Sequence, residues 1–366
     1  LSRLRLFCPR LLSSPRFDYI PGMLLPHPSD ALRRLSILIV TYDGDELLRA
    51  CLDSIQRACG DMPGTVVVDN AASETTRELV AAFPRTRYVR AETNLGFAGG
   101  NNLGFPFCEG EYILLLNNDT VIHDEPFTAL IRYCDANPQV GVAQGKIRFG
   151  GNIDLLDGCG SFLTAIGIQY AYGFLVPDAP AFQKPYPVFA ASGAFFLIRR
   201  SVIAQAGGYL FYDHFRSYYE EVDFCHRVWL SGSEVHFVPT PVIDHLHSQT
   251  AGRFRRTDIL RQYYQNIWFS LLTCLGGYGR LRILPVFTAF FAGNALAHLL
   301  AGHRELFRAH LDTVRKLWIM RDQIRSARKT IRGFRVRSDR ELFRIILKSP
   351  PLSYYWRSIR SNAFSS

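Results

Sequence analysis

No two of the eight cysteines stand in a CxxC pair, and several lie inside apolar runs. That spacing argues against a zinc site or a disulfide frame and for buried thiols in a reducing compartment. The first thirty residues mix Arg, Pro and Ser without one long apolar core, so they do not read as a secretory signal. No Gly-x-Gly-x-x-Gly follows the first predicted strand; Thr41-Tyr42-Asp43-Gly44 stands there instead. A dinucleotide-dependent oxidoreductase therefore ranks last among the readings. The Gly-rich loop with Arg and Lys that a sugar-nucleotide pyrophosphorylase would carry at this place is also missing. No zinc, RNP or helix-turn-helix pattern and no internal repeat is found.

What the chain does contain is enough for a large core. It has 366 residues, 48% of them hydrophobic, and a mean hydropathy near zero. Those figures fit a globular protein with some extra apolar surface, one large domain plus an appendage. The net charge of +10 is uneven. From His303 to Ser366 there are sixteen Lys or Arg and five Asp or Glu, a balance of +11, which leaves the rest close to neutral. A basic tail behind a neutral body points to an anionic partner, lipid or nucleic acid, although a solvated basic helix has the same composition.

Along the chain, strands and helices alternate. Ser36 to Tyr42 reads as a first buried strand, and Asp45 to Cys59 has apolar residues at helical spacing. Thr65 to Asp69 is a second strand. Ser73 to Phe83 reads as a helix with Ser73 as N-cap. Arg87 to Arg90 is a third strand, and Phe97 to Cys108 a Gly-rich loop with a short helix. Tyr112 to Asn117 is a fourth strand, apolar throughout, as expected for burial on both faces of a parallel sheet. Residues 150–187 are rich in Gly, Pro and aromatics, which predicts long loops or a small antiparallel insert. Val188 to Ile198 reads as a strand, Glu220 to Leu230 as a helix, Glu234 to Val238 as a last strand, and the chain from Thr257 as helical. This alternation predicts an α/β fold with a mostly parallel sheet.

The chemistry-bearing residues sit where strands end. Asp69 closes the second strand and Asp119 follows the fourth in Asn117-Asn118-Asp119. Open α/β sheets bind ligands at such ends. One carboxylate among neutral oxygens suits a hard divalent cation that keeps waters and takes phosphate oxygens, and an Asn-Asn-Asp turn is the plainer reading. Asp69 could accept from a nucleobase or ribose, or could cap a turn. The glycines of Asn94 to Asn102 let backbone approach a ligand, with amides facing phosphate. Glu220 and Glu221 open a helix and lie about 100° apart, so one can bind while the other removes a proton from an attacking hydroxyl. Acids there also favour the helix dipole, and Asp223 with Arg227 makes an i,i+4 pair. His245 and His247 follow the last strand beside Asp244 and could touch metal or phosphate. Ser192-Gly193-Ala194 leaves room for a sugar or acceptor, or for close backbone packing.

In this order, and over roughly residues 35–250, these segments resemble family 2 glycosyltransferases of the GT-A fold, especially the bacterial rhamnosyltransferase-like branch. The matching pieces are Ile39 to Tyr42, Val68-Asp69-Asn70, Asn94 to Asn101, Leu116 to Asp119, Ser192-Gly193-Ala194, Glu220 to Asp223 and the His245/His247 loop. The resemblance implies an inverting hexosyltransferase with a nucleotide-diphosphate sugar donor, dTDP-rhamnose or a UDP-sugar, and Mg or Mn as divalent metal. It places Thr41, Tyr42, Asp69, Asn70, Gly96, Phe97, Gly100, Asn101, Asn117 and Asn118 at the donor. Ser192, Gly193, Ala194 and Asp223 would line the acceptor and sugar pocket. Asp119 would hold the metal, with His245 or His247 assisting, and Glu221 would be the general base, or Glu220 in its place. Three departures stand out: Asn-Asn-Asp replaces Asp-x-Asp, Glu220-Glu221 replaces Glu-Asp, and Asp43 replaces an Asn.

Ile283 to Ala301 is a long apolar run interrupted by Pro285, Asn294 and His298, followed by ten Lys or Arg between Arg315 and Arg340. An interfacial or re-entrant helix beside a basic segment suits the anionic cytoplasmic leaflet better than a span. The plainer reading is a helical cap packed on the catalytic domain. The expected organisation is a flexible arm at 1–34, a GT-A catalytic domain at 35–256 and a helical C-terminal region at 257–366. The expected setting is the inner face of the plasma membrane, peripheral or monotopic, with a glycan or lipid-linked acceptor and no nucleic acid. A basic nucleic-acid- or membrane-binding protein without transferase activity is the alternative, and it leaves the strand-end acids unexplained.

Overall fold

The computed structural model describes residues 28–150, 155–246 and 255–354. The first part of the chain runs α1 (Pro28–Arg33), β1 (Leu35–Thr41), α2 (Asp45–Cys59), β2 (Gly64–Asp69), α3 (Glu74–Ala81), β3 (Thr86–Arg90), α4 (Gly96–Gly104), β4 (Tyr112–Leu116), β5 (Thr120–Ile122) and α5 (Phe127–Ala136). Then come β6 (Val140–Gln144), β7 (Ile147–Phe149), β8 (Leu156–Gly158), β9 (Ser161–Leu163), β10 (Gln169–Ala171), β11 (Tyr186–Pro187), β12 (Phe195–Arg199) and α6 (Arg200–Gln205). The last part holds α7 (Glu220–Leu230), β13 (Glu234–Phe237), β14 (Ile243–His245), α8 (Arg256–Cys274), α9 (Gly277–Leu300), α10 (Arg304–Ile319), α11 (Arg321–Phe334) and α12 (Asp339–Ile346).

Eight strands form the central sheet in the order β11-β13-β6-β12-β4-β1-β2-β3. The half built from β4, β1, β2 and β3 is parallel, as is the β13–β6 pair. Strand β12 runs antiparallel to both β4 and β6. Alternation explains why these strands are apolar throughout. Ile37, Ile39, Leu114 and Leu116 enter the layer with α1, α2 and α5, whereas Leu38, Ile113 and Leu115 enter the layer with α7 and α8. Successive side chains in a strand point to opposite faces, so both faces are filled.

Two local expectations change. The short helix expected within Phe97 to Cys108 is present, but it takes in the glycines themselves, running from Gly96 to Gly104. Its glycines allow close approach to the sheet: a Cβ on Gly100 would lie 2.6 Å from Val40 Cγ1, and one on Gly104 would lie 2.4 Å from Leu38 Cδ1. Close packing outweighs the poor intrinsic helix preference of glycine. The strand predicted over Val188 to Ile198 is regular only from Phe195. Before it, Ser192 turns, with its amide bound to Gln144 Oε1 at 2.7 Å.

A second, four-stranded sheet has the order β5-β14-β7-β8. It extends from the turn after β4 and places His245 opposite Thr120. Strands β9 and β10 form an antiparallel hairpin, the small insert expected between 150 and 187. The C-terminal helices pack onto the sheet domain. Asp339 accepts from the amides of Gly276 and Gly279 at the start of α9 and pairs with Arg335. Arg328, Arg335 and Arg337 donate to the carbonyls of Leu272, Cys274 and Gly232. Arg337 therefore fastens the basic tail to the body, while Arg328 and Arg335 tie it to the end of α8.

Candidate active site

At the carboxyl end of β4 the chain turns through Asn117, Asn118 and Asp119 into β5. Asn118 Nδ2 donates to Thr41 Oγ1 at 2.9 Å, which ties the turn to the end of β1. Asn117 Nδ2 lies 3.2 Å from His245 Nε2, and its carbonyl accepts from Thr120 Oγ1. Asp119 is buried, with Oδ1 3.3 Å from His245 Nε2. The other imidazole nitrogen, Nδ1, lies 2.8 Å from Asp157 Oδ2. His245 thus sits between two carboxylates, brought together by pairing in the second sheet. Burial alone would lower its pKa, but the bonds to Asp119 and Asp157 outweigh that and push it up to about 10.

His245 and Asp157 form one wall of a cleft of about 250 Å³. Glu221 forms another, with Gln144, Ser161, Gln169 and Ser192 between them. The carboxylate of Glu221 is half-buried, and burial pushes its pKa up to about 7. Glu220 is buried, and burial together with the neighbouring Glu221 raises it well above the usual carboxylate range. A carboxylate poised near neutrality on a cleft wall can accept a proton from a hydroxyl. The oxygens of Asp119 and Asp157 are hard donors, and His245, with both ring nitrogens bound to those carboxylates, is a charge partner beside them rather than a ligand. Among the described residues no three His, Cys, Asp or Glu side chains make a metal cage. The donor set therefore fits only an open cation site whose other ligands are waters or substrate oxygens.

Several predicted site residues have other occupations here. Asp69 is fully buried, and its carboxylate accepts from the amides of Ala71 and Ser73 and from the Tyr88 hydroxyl at 2.7–2.9 Å. It holds the β2–α3 turn, away from the cleft walls. Asn70 bonds to the carbonyl of Gly96. Asn101 donates back to the carbonyl of Phe97 within α4. The amides expected to face phosphate are also taken. Gly96 donates to Asn94 Oδ1, Phe97 to Ser217 Oγ, and Ala98 to the Arg216 carbonyl at 2.7 Å. Gly193 rests against Phe97, and the carbonyl of Ala194 accepts from the Asn117 amide. Asp223 does not line the cleft. It is buried against Arg227, with Nε–Oδ2 at 3.0 Å. Tyr42 is about one-third exposed beside the β1 end. His247 lies outside the described residues.

Asp157, Gln144 and Gln169 escaped the sequence reading. Asp157 had a signal: Leu155-Leu156-Asp157-Gly158 is a short apolar run ending in an acid, the same pattern as β2 and β4. Its Gly- and aromatic-rich surroundings masked it.

Residues 36–207 match the family model described as glycosyl transferase family 2, which ends before α7. Among curated relatives, the low-salt glycan biosynthesis hexosyltransferase Agl10 of Haloferax volcanii is 28% identical over 60% of this chain and 69% of its own. The poly-beta-1,6-N-acetyl-D-glucosamine synthase of Staphylococcus epidermidis is 24% identical over 37% of this chain and 34% of its own. The chain thus spans about a third of that longer relative. Among solved structures, GalNAc-T7 with UDP, GalNAc and Mn2+ superposes with a TM-score of 0.51 at 14% identity, over 64% of this chain and 47% of that one. S. aureus TarS gives 0.50 at 16% identity, over 82% and 54%. At these identities the two structures establish the shared fold.

Proposed function

We propose, from the premise that residues 36–207 are a family 2 glycosyltransferase domain on a GT-A fold, that the chain moves a sugar from a nucleotide-diphosphate donor to a glycan hydroxyl with inversion. One observation carries the reading: Glu221, His245 and Asp157 line a common cleft, and the buried Asp119 stands behind His245, 3.3 Å from its Nε2. Glu221 takes the acceptor hydroxyl proton as that oxygen forms its bond to the anomeric carbon. The bond from that carbon to the diphosphate oxygen breaks on the opposite face, and the diphosphate leaves with the electron pair. Thr41 and Asn118 hold the strand-end turn beside the nucleoside, and Asp69 and Asn70 act from behind by fixing the neighbouring loop. Ser192 and Gln169 offer neutral hydrogen-bonding groups to sugar hydroxyls, and Gln144, bound to the Ser192 amide and the Gly158 carbonyl, fixes the wall between them. A divalent cation, Mg or Mn, held by Asp119 with His245 nearby, would offset charge on the departing diphosphate. GalNAc-T7 was solved with UDP and Mn2+, and Agl10 is described as a glycan biosynthesis hexosyltransferase. A UDP-sugar donor and a cell-surface glycan acceptor follow by analogy, and rhamnose by the sequence resemblance.

The same reading sets the enzyme on an anionic membrane surface. Helix α9 is long and apolar enough to cross a bilayer. It is nevertheless docked along one side through Ile283, Phe287 and Phe291. On α10, Leu311, Val314 and Trp318 are more than half exposed and, with Phe307, share one stripe at helical spacing. Arg304, Arg308 and Arg315 flank that stripe. An apolar stripe with a cationic border suits a helix lying in the headgroup region of the cytoplasmic leaflet. A lipid-linked acceptor would then be within reach.

Thermal-shift measurements against UDP- and dTDP-sugars with Mg²⁺ or Mn²⁺ test the donor site. A true donor at about 100 times its Kd stabilises the fold by ~2.7 kcal/mol through mass action. One donor should raise the Tm of the wild type but not of Asp119→Asn. No shift with any sugar nucleotide would contradict the reading.

A further inference from the structure

The segment that delivers Glu220 and Glu221 to the cleft is conformationally costly. Arg216, Tyr218 and Tyr219 all have positive φ, at 53°, 73° and 73°. Left-handed backbone is unfavourable for residues with a Cβ, and three in four positions persist only under external restraint. That restraint comes from a helix beyond the family-matched segment. Asn266 of α8 is fully buried. Its Nδ2 donates to the carbonyls of Phe215 at 2.9 Å, Ser217 at 3.2 Å and Tyr218 at 2.6 Å. Gln262, one turn earlier, donates to Asn266 Oδ1 at 2.9 Å and to the His214 carbonyl at 3.2 Å. The first bond fixes which way the Asn266 amide faces. From the other side, α4 grips the same loop: Ala98 donates to the Arg216 carbonyl and Asn102 to Asp213 Oδ1.

We infer that Asn266 is a positioning residue for sugar transfer, holding the left-handed turn 215–219 so that Glu221 enters the cleft. This rests on Glu221 acting as the base. It makes α8 part of the catalytic apparatus rather than a mere link to the membrane-facing helices. Among the described residues no other side chain donates to more than one carbonyl of 215–219. Asn266→Asp keeps the shape but turns an oxygen toward three carbonyl oxygens. Asn266 itself does not line the cleft.

Two measurements on the full chain test the inference. The first is hydrogen exchange, which needs no substrate. Asn266→Asp should accelerate exchange at amides 216–221 by at least ~10-fold while β1, β2 and β4 keep their protection. The second is release of UDP or dTDP from UDP-glucose and dTDP-rhamnose. Here kcat should fall by ~10- to 100-fold with the donor KM within about twofold, because misplacing a reacting group by an ångström has that effect. Adding Tyr218→Gly should restore part of the lost kcat, since glycine adopts positive φ without strain. A merely structural role would lower Tm without a kcat loss that glycine rescues. If Asn266→Asp does not fold, Gln262→Met, which removes the amide's orienting partner, should show the same exchange pattern to a smaller degree. Unchanged exchange at 216–221 in the variant examined, or a kcat within twofold of wild type, overturns the inference. A Glu221→Gln control separates the two levels: if it retains wild-type kcat, the assignment of the base fails and the positioning role falls with it.

Discussion

Glu221→Gln should stabilise the protein while it stops transfer, and the stabilisation should depend on pH. Burial raises the Glu221 pKa from 4.5 to about 7. That difference corresponds to ~3 kcal/mol between the two protonation states, at 1.36 kcal/mol per pH unit. Because the folded pKa lies above the unfolded one, the favourable contribution is complete below pH 4.5 and is lost as pH rises through 7. At pH 8 the folded wild type holds a desolvated carboxylate, and glutamine removes that charge with nearly the same shape. Solvent at the cleft mouth and coupling to Glu220 reduce the gain, so ~1–3 kcal/mol is expected, about 2–6 °C in Tm for a chain of this size. At pH 5 the wild-type side chain is protonated and the two proteins should melt within about 1 °C of each other. Differential scanning fluorimetry at both pH values reads the effect directly. The transfer rate should rise with pH and level off above about 7, as a base with that pKa requires. Equal melting at pH 8, or a variant less stable there than wild type, would refute the claim that the fold holds this carboxylate against its solvation.

Two further outcomes follow from the packing and the surface. Arg227→Met leaves Asp223 buried and unpaired, and breaking such a pair should destabilise the fold by ~3–5 kcal/mol in urea unfolding; a loss below about 1 kcal/mol would mean that the Asp223 charge is satisfied elsewhere. Leu311→Asp with Trp318→Asp should abolish flotation with phosphatidylserine-containing vesicles and leave donor-induced thermal shifts unchanged, whereas undiminished flotation would remove α10 from the membrane contact. Point changes are preferred to truncation after Gly279, because Ile283, Phe287 and Phe291 are part of the core.

The parts of the fold that were legible in the sequence share a physical cause. Strands β1, β2 and β4 are apolar on both faces because the sheet is covered on both sides, so their runs stand out. Ser73 was readable as a cap because the side-chain bond it makes, to the Thr76 amide, is local. Helix α7 was marked by its acid-rich start and apolar periodicity. Helix α4 was legible only in part, as a short helix within a Gly-rich loop, because four glycines in nine residues argue locally for a loop. Its reason for being a helix is the nearness of Val40, Leu38 and Val68, which only the fold supplies. The acids divide in the same way. Glu221 reaches the cleft itself, and Asp119 stands behind His245 on its wall. Asp69 and Asp223 have the same local signature and are consumed by bonds inside the protein. Which carboxylate is left for chemistry depends on nonlocal partners such as Tyr88 and Arg227. Asn266 illustrates the limit most clearly: nothing about an Asn in a helix signals that it will restrain a turn about fifty residues earlier in the chain.

The most direct test is a crystal structure of the full chain grown with UDP and Mn²⁺. The expected result places the pyrophosphate beside Asp119 and His245, with the open side of the cleft leading to Glu221. Nucleotide bound elsewhere, for example in the larger groove of about 530 Å³ between α2 and α3 lined by Asp45, Arg49 and Glu78, with the Glu221 cleft empty, would contradict it.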